Sequence, residues 1–204
     1  MRITNLSHAG QVAKLIEGGA ELIQLREKHS SPKDFYEDAK EAIKIARARN
    51  VKIIINDRVD IALALKADGV HLGQSDLPPE HARKILGKKA IIGFSTHNIS
   101  QAFEAVNFPV DYLAIGPVFT TKTKENADEE VGIEGLKKIR ETIGEFSLVA
   151  IGGINSENFL EVLGAGADSA AVISDLLSEP GNIIEKTRKF VALSQNIIKN
   201  VYPS

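Results

Sequence analysis

Short apolar runs and longer amphipathic stretches alternate along the chain. Runs at Met1–Asn5, Leu22–Leu25, Val51–Ile55, Gly69–Leu72, Ala90–Phe94, Tyr112–Ile115, Leu148–Ile151 and Ser169–Ile173 predict eight strands. Most are almost continuously apolar, as parallel strands buried on both faces are. Between them the spacing changes to a helical one. Over 32–50, Phe35, Ala39, Ile43 and Ala46 fall at i, i+4, i+8 and i+11, which draws one apolar face on a helix. Ile183, Ile184, Phe190, Val191, Ile197 and Ile198 draw a similar stripe near the C-terminus. Ser31-Pro32 predicts a helix start, because proline is tolerated in the first turn.

The junctions repeat. GGAELIQL, KADGVHLG, PVDYLAIG and GADSAAVI each place a turn and an acidic residue before an apolar strand. They recur roughly every 45–55 residues, a spacing that suits a chain of βα units. The acids Glu21, Asp68, Asp111 and Asp168 precede their strands, so they belong to the N-terminal end of the sheet and are expected to close turns there. Alternating strands and helices fit either an open doubly wound sheet or a closed barrel. No linker rich in Pro, Gly or Ser divides the chain. Residues 1–204 are therefore read as one (βα)8 TIM barrel, compact beside the ~250 residues typical of that fold and with a short first strand.

Composition narrows the function classes. With 43% hydrophobic and 25% charged residues the chain has the make-up of a packed protein, not a disordered one. A net charge of −2 removes a broad electrostatic case for nucleic acid or anionic membrane partners. Cysteine is absent, so there is no thiol nucleophile, disulfide framework or thiolate metal site. The start, MRITNLSHAG, lacks the apolar core of a signal peptide, and no run is long enough to cross a bilayer. A cytoplasmic enzyme is the expectation.

In a βα barrel the loops after the strands converge on one mouth, where the chemistry lies. Polar or glycine residues follow nearly every predicted strand: Gln24-Leu25-Arg26-Glu27-Lys28, Asn56-Asp57, Gln74-Ser75-Asp76, Ser95-Thr96-His97, Thr120 to Lys124, Gly152-Gly153 and Ser174. Gln24, Arg26 and Lys28 alternate, so an extended chain points all three to one face. Such cations suit phosphate oxygens, or they pair on the surface with Glu27 and Asp34. Asp57 and Asp76 end neighbouring strands and could hold Mg²⁺ together with phosphate oxygens and water. Asp57 could equally cap the helix that starts near Arg58. The absence of accompanying His or Cys ligands disfavours zinc. Gly152-Gly153 and Ile173-Ser174 occupy the loops that commonly bind phosphate through backbone N–H groups. Thr121, Thr123 and Lys124 follow the sixth predicted strand as a hydroxyl- and lysine-bearing clamp, and Glu125 to Glu130 is read as a solvated face. These residues imply two anion sites, one with a metal, as the joining of two phosphorylated substrates with loss of diphosphate requires. Of the histidines, His71 is read as a hydrogen-bonded core residue and His97 as leading into a helix. No Ser/His/Asp spacing is present.

The motifs QLREK (24–28), INDRVDIALALKADGVHLGQSD (55–76), IGFS (92–95), GPVFTTKTK (116–124), AIGGI (150–154) and AVIS (171–174) resemble, in this order, the thiamin phosphate synthase family. The resemblance runs from about Leu15 to Ser174, most of the chain. It implies a (βα)8 barrel that joins 4-amino-5-hydroxymethyl-2-methylpyrimidine diphosphate to a thiazole phosphate with Mg²⁺, releasing pyrophosphate. Carried over, it gives the pyrimidine diphosphate to Gln24, Leu25, Arg26, Glu27, Lys28, Asn56, Ser95 and Lys124. Of these, Arg26, Lys28 and Lys124 assist the leaving group. It gives Mg²⁺ to Asp57 and Asp76, and the thiazole phosphate to Thr121, Lys122, Thr123, Gly153, Ile173 and Ser174. The implied chemistry is dissociative and needs no protein nucleophile. The expected partners are small phosphorylated molecules, and a homodimer is compatible with this reading. Two departures stand out: Thr120 replaces a proline usual in the family, and MRITNL replaces a longer first strand. A thiazole tautomerase on the same scaffold, or a silent precursor-binding barrel, would be expected to lose diphosphate and metal residues that this sequence keeps.

Overall fold

The computed structural model describes residues 4–121 and 129–201. Seven strands form: β1 (Leu22–Leu25), β2 (Lys52–Asn56), β3 (Gly69–Leu72), β4 (Ile91–Thr96), β5 (Tyr112–Ile115), β6 (Leu148–Ile151) and β7 (Ser169–Ala171). They make one parallel sheet in sequential order. The helices are α1 (His8–Glu17), α2 (Pro32–Arg47), α3 (Val59–Leu65), α4 (Pro79–Leu86), α5 (Ile99–Ala105), α6 (Gly132–Ile143), α7 (Phe159–Gly164), α8 (Ser174–Leu177) and α9 (Ile183–Val201). Among the described residues, no helix is long and apolar enough to cross a membrane.

Helix α2 begins where the sequence predicts. Ser31 is its N-cap and its hydroxyl accepts from Asp34 N at 3.1 Å, with Pro32 as the first helical residue. The helix buries Phe35, Ala39, Ile43 and Ala46 as expected, with Ala42 beside them. Ile197 and Ile198 of the C-terminal stripe lie outside the residues whose side chains are described.

The first predicted strand, Met1–Asn5, lies mostly outside the described residues, and its last two positions, Thr4 and Asn5, lie in bends. Thr4 Oγ1 accepts from Leu6 N at 3.2 Å, and Ser7 Oγ caps α1 by accepting from Gly10 N at 3.1 Å. These hydroxyls give the backbone N–H groups of Leu6 and Gly10 local partners. Among the described residues the architecture is a seven-stranded curled parallel sheet. Its end helices meet: a Cβ added to Gly18, after α1, would lie 2.4 Å from Thr187 Cβ in α9.

Side chains alternate across this sheet. Ile53 and Ile55, Val70 and Leu72, Ile92 and Phe94, and Leu113 and Ile115 are buried in the core shared with the helices. Each such side chain contributes about 1.5–3 kcal/mol by leaving water. The intervening set, Gln24, Asn56, His71, Gly93, Ser95 and Tyr112, faces inward. The core alternation therefore gathers the polar positions of neighbouring strands on one inner surface.

The rim at which the strands begin is built from a repeated arginine–aspartate clamp. Asp68, Asp111 and Asp168, each just before an odd-numbered strand, accept from the N–H of Ile53, Ile92 and Leu148 on the preceding strand, at 2.8, 2.7 and 2.7 Å. Arg83 of α4 binds Asp111 at 2.7 Å and donates to the carbonyls of Gly87, Ala90 and Pro109. Arg140 of α6 repeats the pattern with Asp168 at 2.6 Å and the carbonyls of Gly144, Phe146 and Gly166. Arg47 of α2 bonds the carbonyls of Leu65 and Lys66 beside Asp68. These acids are structural, as the junction repeat predicts for them.

Candidate active site

At the opposite rim the chain brings up Gln24, exposed between the buried Ile23 and Leu25 of β1, and then Arg26, exposed just after the strand. Leu25 is only 2% exposed and packs in the core, which leaves its backbone alone to meet a ligand. Glu27 folds onto its own loop. Its Oε1 accepts from His29 N at 2.8 Å and Ser30 N at 3.2 Å. Asp34 is likewise engaged by the Ser31 hydroxyl at 2.7 Å. Lys28 instead reaches across to Asp57, with Nζ in direct contact with Oδ2. The alternative of two cations paired with Glu27 and Asp34 is thereby set aside for Lys28.

Asp57 sits in a sharp turn after β2. Its φ is 61°, left-handed, a region that aspartate tolerates better than most residues, and its N–H donates to His71 O at 2.8 Å. Helix α3 has Arg58 as N-cap with no side-chain cap bond, so Asp57 does not cap it. Asp76 folds back over its own loop, Oδ2 accepting from Gly73 N at 2.7 Å. Burial holds the Asp76 carboxyl above the usual carboxylate range. The adjoining Asp57 carboxylate adds to this, while Gly73 N–H and Lys28 oppose it. Two adjacent carboxylates attract a cation, and their oxygen-only donor set suits a hard divalent ion. Among the described residues no group of three or more His, Cys, Asp or Glu side chains is set to hold a metal. A cation here would complete its shell with phosphate oxygens and water, as Mg²⁺ commonly does.

Beside this pair runs a hydrogen-bonded chain that crosses three strands. His71 Nε2 is 2.8 Å from Ser95 Oγ, and His71 Nδ1 is 2.9 Å from Tyr112 Oη. Burial lowers the His71 pKa to about 4, against the opposing charge of Asp57. Burial also pushes the Tyr112 phenol well up, against a hydrogen bond from Gln24. Gln74 Nε2 donates to Ser95 O at 2.6 Å. Asn56, opposite His71 in the sheet register, is 7% exposed. The ring of Tyr112 enters this cluster through a slot at Gly93, where a Cβ would lie 2.0 Å from Tyr112 Cζ and 2.5 Å from His71 Nδ1. Sequence reading missed Tyr112 and left Gln74 without a role. The available signal was Gly93 itself, a lone glycine inside a strand, which marks close approach of another group. His71 is the hydrogen-bonded core residue expected. His97 does precede α5, with its N–H donating to Gln101 Oε1 at 2.8 Å.

The second group of predicted residues surrounds the loops after β5, β6 and β7. Gly152 and Gly153 have φ of 100° and 66°. Their role is more specific than leaving room for a ligand. A Cβ on Gly152 would lie 2.6 Å from Pro117 Cα, and one on Gly153 would lie 2.6 Å from Phe119 Cβ. The glycines therefore let the loop after β6 nest against the loop after β5. Val131 N and Gly132 N donate to Pro117 O and Val118 O at 2.8 and 3.0 Å, and the Thr120 hydroxyl meets the Glu130 carboxylate. Thr121 lies at the edge of this bonded base. Lys122, Thr123 and Lys124, and the acids from Glu125 to Asp128, lie outside the described residues, while Glu129 and Glu130 are exposed. Ile173 is the N-cap of α8 and Ser174 its first residue. The structure thus assembles two groups at one rim, Gln24–Lys28–Asn56–Asp57–Asp76–Ser95 and Thr121–Gly153–Ile173–Ser174.

Comparison with known proteins shows the family. The sequence model of a family described as thiamine monophosphate synthase matches residues 2–176. A thiamine-phosphate synthase of Clostridium novyi is 52% identical over 166 residues, covering 81% of this chain and 81% of that protein. One of Chloroflexus aurantiacus is 45% identical over 172 residues, covering 84% and 79%. Among solved structures, thiamine phosphate pyrophosphorylase from Pyrococcus furiosus superposes with a TM-score of 0.84 at 37% identity, covering 93% of this chain and 90% of that one.

Proposed function

The chain belongs to the thiamine monophosphate synthase family, and from that premise we infer that it is a thiamine-phosphate synthase. In this reading it joins 4-amino-5-hydroxymethyl-2-methylpyrimidine diphosphate to a thiazole phosphate, giving thiamin phosphate and pyrophosphate. The observation that carries the reading is the first group of site residues: Lys28 against Asp57, with Asp76 beside them, next to the Gln24–Tyr112–His71–Ser95 chain, in which His71 is buried. A charged rim next to a polar, partly buried slot suits a diphosphate joined to a flat polar ring.

The reaction follows from that pairing. The bond from the exocyclic carbon to the diphosphate oxygen breaks, the electron pair leaving with pyrophosphate. The aminopyrimidine carries the resulting positive charge until the thiazole nitrogen donates its lone pair to the carbon. Arg26, Lys28 and Lys124 offset charge developing on the leaving oxygens. Asp57 and Asp76 would hold Mg²⁺, which when bound supplies further counter-charge to the diphosphate. Gln24, Asn56 and Ser95 orient the pyrimidine side, while Thr121, Lys122, Thr123, Gly153, Ile173 and Ser174 bind the thiazole phosphate. We take the strand ring to be completed as a (βα)8 barrel between β7 and β1, a closure supported by the meeting of α1 and α9, and the enzyme to act in the cytoplasm.

Incubating the protein with both substrates and Mg²⁺ should yield thiamin phosphate and pyrophosphate in equal amounts. Asp57→Ala and Asp76→Ala should each nearly abolish turnover while the protein still melts cooperatively. Turnover near that of the wild type, with a lowered melting temperature, would overturn the metal assignment.

A further inference from the structure

A phosphate held by backbone N–H groups from two loops is held only as well as the loops are held to one another. A displacement of about 1 Å can cost two orders of magnitude in rate. Here the loop after β6, which carries Gly153, is joined to the segment after β7, which carries Ser174, by a side chain that motif reading passes over. Asp175 Oδ2 accepts from Ser156 N at 3.1 Å. Lys186, in the first turns of α9, donates to Asp175 O at 2.9 Å and to its Oδ1 at 3.3 Å, with Glu179 Oε1 at 3.8 Å. The side chains of Asp175 and Lys186 are 24% and 26% exposed, so the pair is partly withdrawn from solvent.

On the other side of Ser156 the bonding continues. Asn155 N donates to Asn158 Oδ1 at 2.9 Å, and Asn155 Oδ1 accepts from Glu157 N at 2.8 Å. Asn158 Nδ2 then donates to Gly153 O at 3.1 Å. An unbroken path therefore leads from Lys186 through Asp175 and the 155–158 turn to Gly153.

We propose that Asp175, anchored by Lys186, is a positioning residue that fixes the spacing between Gly153 and Ser174 and so tunes affinity for the phosphate of the thiazole substrate. This rests on the thiazole-phosphate reading of those two segments. Asp175 acts on Ser156 N–H and not on substrate, so what it must retain is an acceptor oxygen. Asn, which keeps one, substitutes for it; Ala does not.

Steady-state kinetics with each substrate varied in turn, paired with amide hydrogen exchange, tests the proposal. Asp175→Ala should raise KM for the thiazole phosphate several-fold, because the loosened segments must then be ordered each time the phosphate binds. KM for the pyrimidine diphosphate and kcat at saturation should stay within about twofold. Asp175→Asn should recover most of the loss, and Lys186→Met should move KM in the same direction by less. Exchange at 153–158 should quicken in Asp175→Ala and Lys186→Met, with the strands unchanged. Equal changes in both KM values, no change in either, or Asn as damaging as Ala would overturn the proposal. If the wild type makes no thiamin phosphate, the functional reading fails. The brace is then judged on exchange alone, where unaltered protection at 153–158 refutes it.

Discussion

His71 lies between two hydroxyls, and a neutral imidazole has one N–H and one lone pair. One of Ser95 and Tyr112 must therefore donate to the ring while the other accepts from it, so the two hydroxyls are oriented together. This arrangement depends on the ring staying neutral. Burial lowers its pKa to about 4, below the ordinary 6.5. Between those values the unfolded chain binds a proton that the folded one refuses. The stabilisation is thus complete above pH ~6.5 and is lost as pH falls towards ~4, roughly 3 kcal/mol in all. Denaturant titrations across that window should show stability falling with pH in the wild type. His71→Asn should be less stable at pH 7 and show a shallower fall; an unchanged slope would refute the assignment. Residues of this kind are only half legible in a sequence. Asp57, Asp76, Arg26 and Lys28 stand out because charges rarely follow apolar strands without reason. Tyr112 does not, since an aromatic residue opening an apolar run looks like core. Its exposure to the inner cluster depends on Gly93, its direct register partner on the neighbouring strand and nineteen residues earlier in the chain.

At the scale of elements, seven of the eight strands were readable because buried parallel strands are near-continuous apolar runs, with ends displaced by a residue or two. The eighth, Met1–Asn5, falls mostly outside the described residues, and its last two positions lie in bends, with Thr4 Oγ1 accepting from Leu6 N. Helix α8 was unread, being a four-residue turn with no buried side chain to set a period. The Gly152-Gly153 pair was visible, but its packing partner was not. Gly152 must both hold a φ of 100° and leave Pro117 Cα undisturbed. Gly152→Ala should therefore lose about 1–3 kcal/mol by chemical denaturation from strain at a left-handed position, with the clash adding to it. Gly144 provides the comparison: it has a φ of 61° and nothing within 4 Å of an added Cβ. Gly144→Ala should be clearly milder, and equal losses would mean that the nesting of the two loops contributes nothing.

Across the whole molecule, the two rims are built from different chemistry. The acidic residues of the junction repeat were legible, but the arginines that meet them were not, since Arg83 and Arg140 look like ordinary solvent-facing helix residues. Each ties several carbonyls and one aspartate of a neighbouring unit. Arg83→Met and Arg140→Met should each lower unfolding free energy by about 1–3 kcal/mol, chiefly the cost of leaving the carbonyls without their donor, since the paired aspartates remain largely solvated. Both variants should keep wild-type KM values. A rise in KM without loss of stability would contradict the division between rims.

The same division has an electrical consequence. Four residues of strand, at about 3.3 Å each, separate the rims by roughly 13 Å. That exceeds the screening length of about 8 Å at physiological ionic strength, even before the clamped arginines are neutralised by their aspartates. An anion approaching the mouth therefore feels chiefly the charges of that rim, Arg26 and Lys28 against Asp57 and Asp76, and little of the charge that holds the sheet together. The chain's small net charge of −2 is no measure of the field such an anion meets.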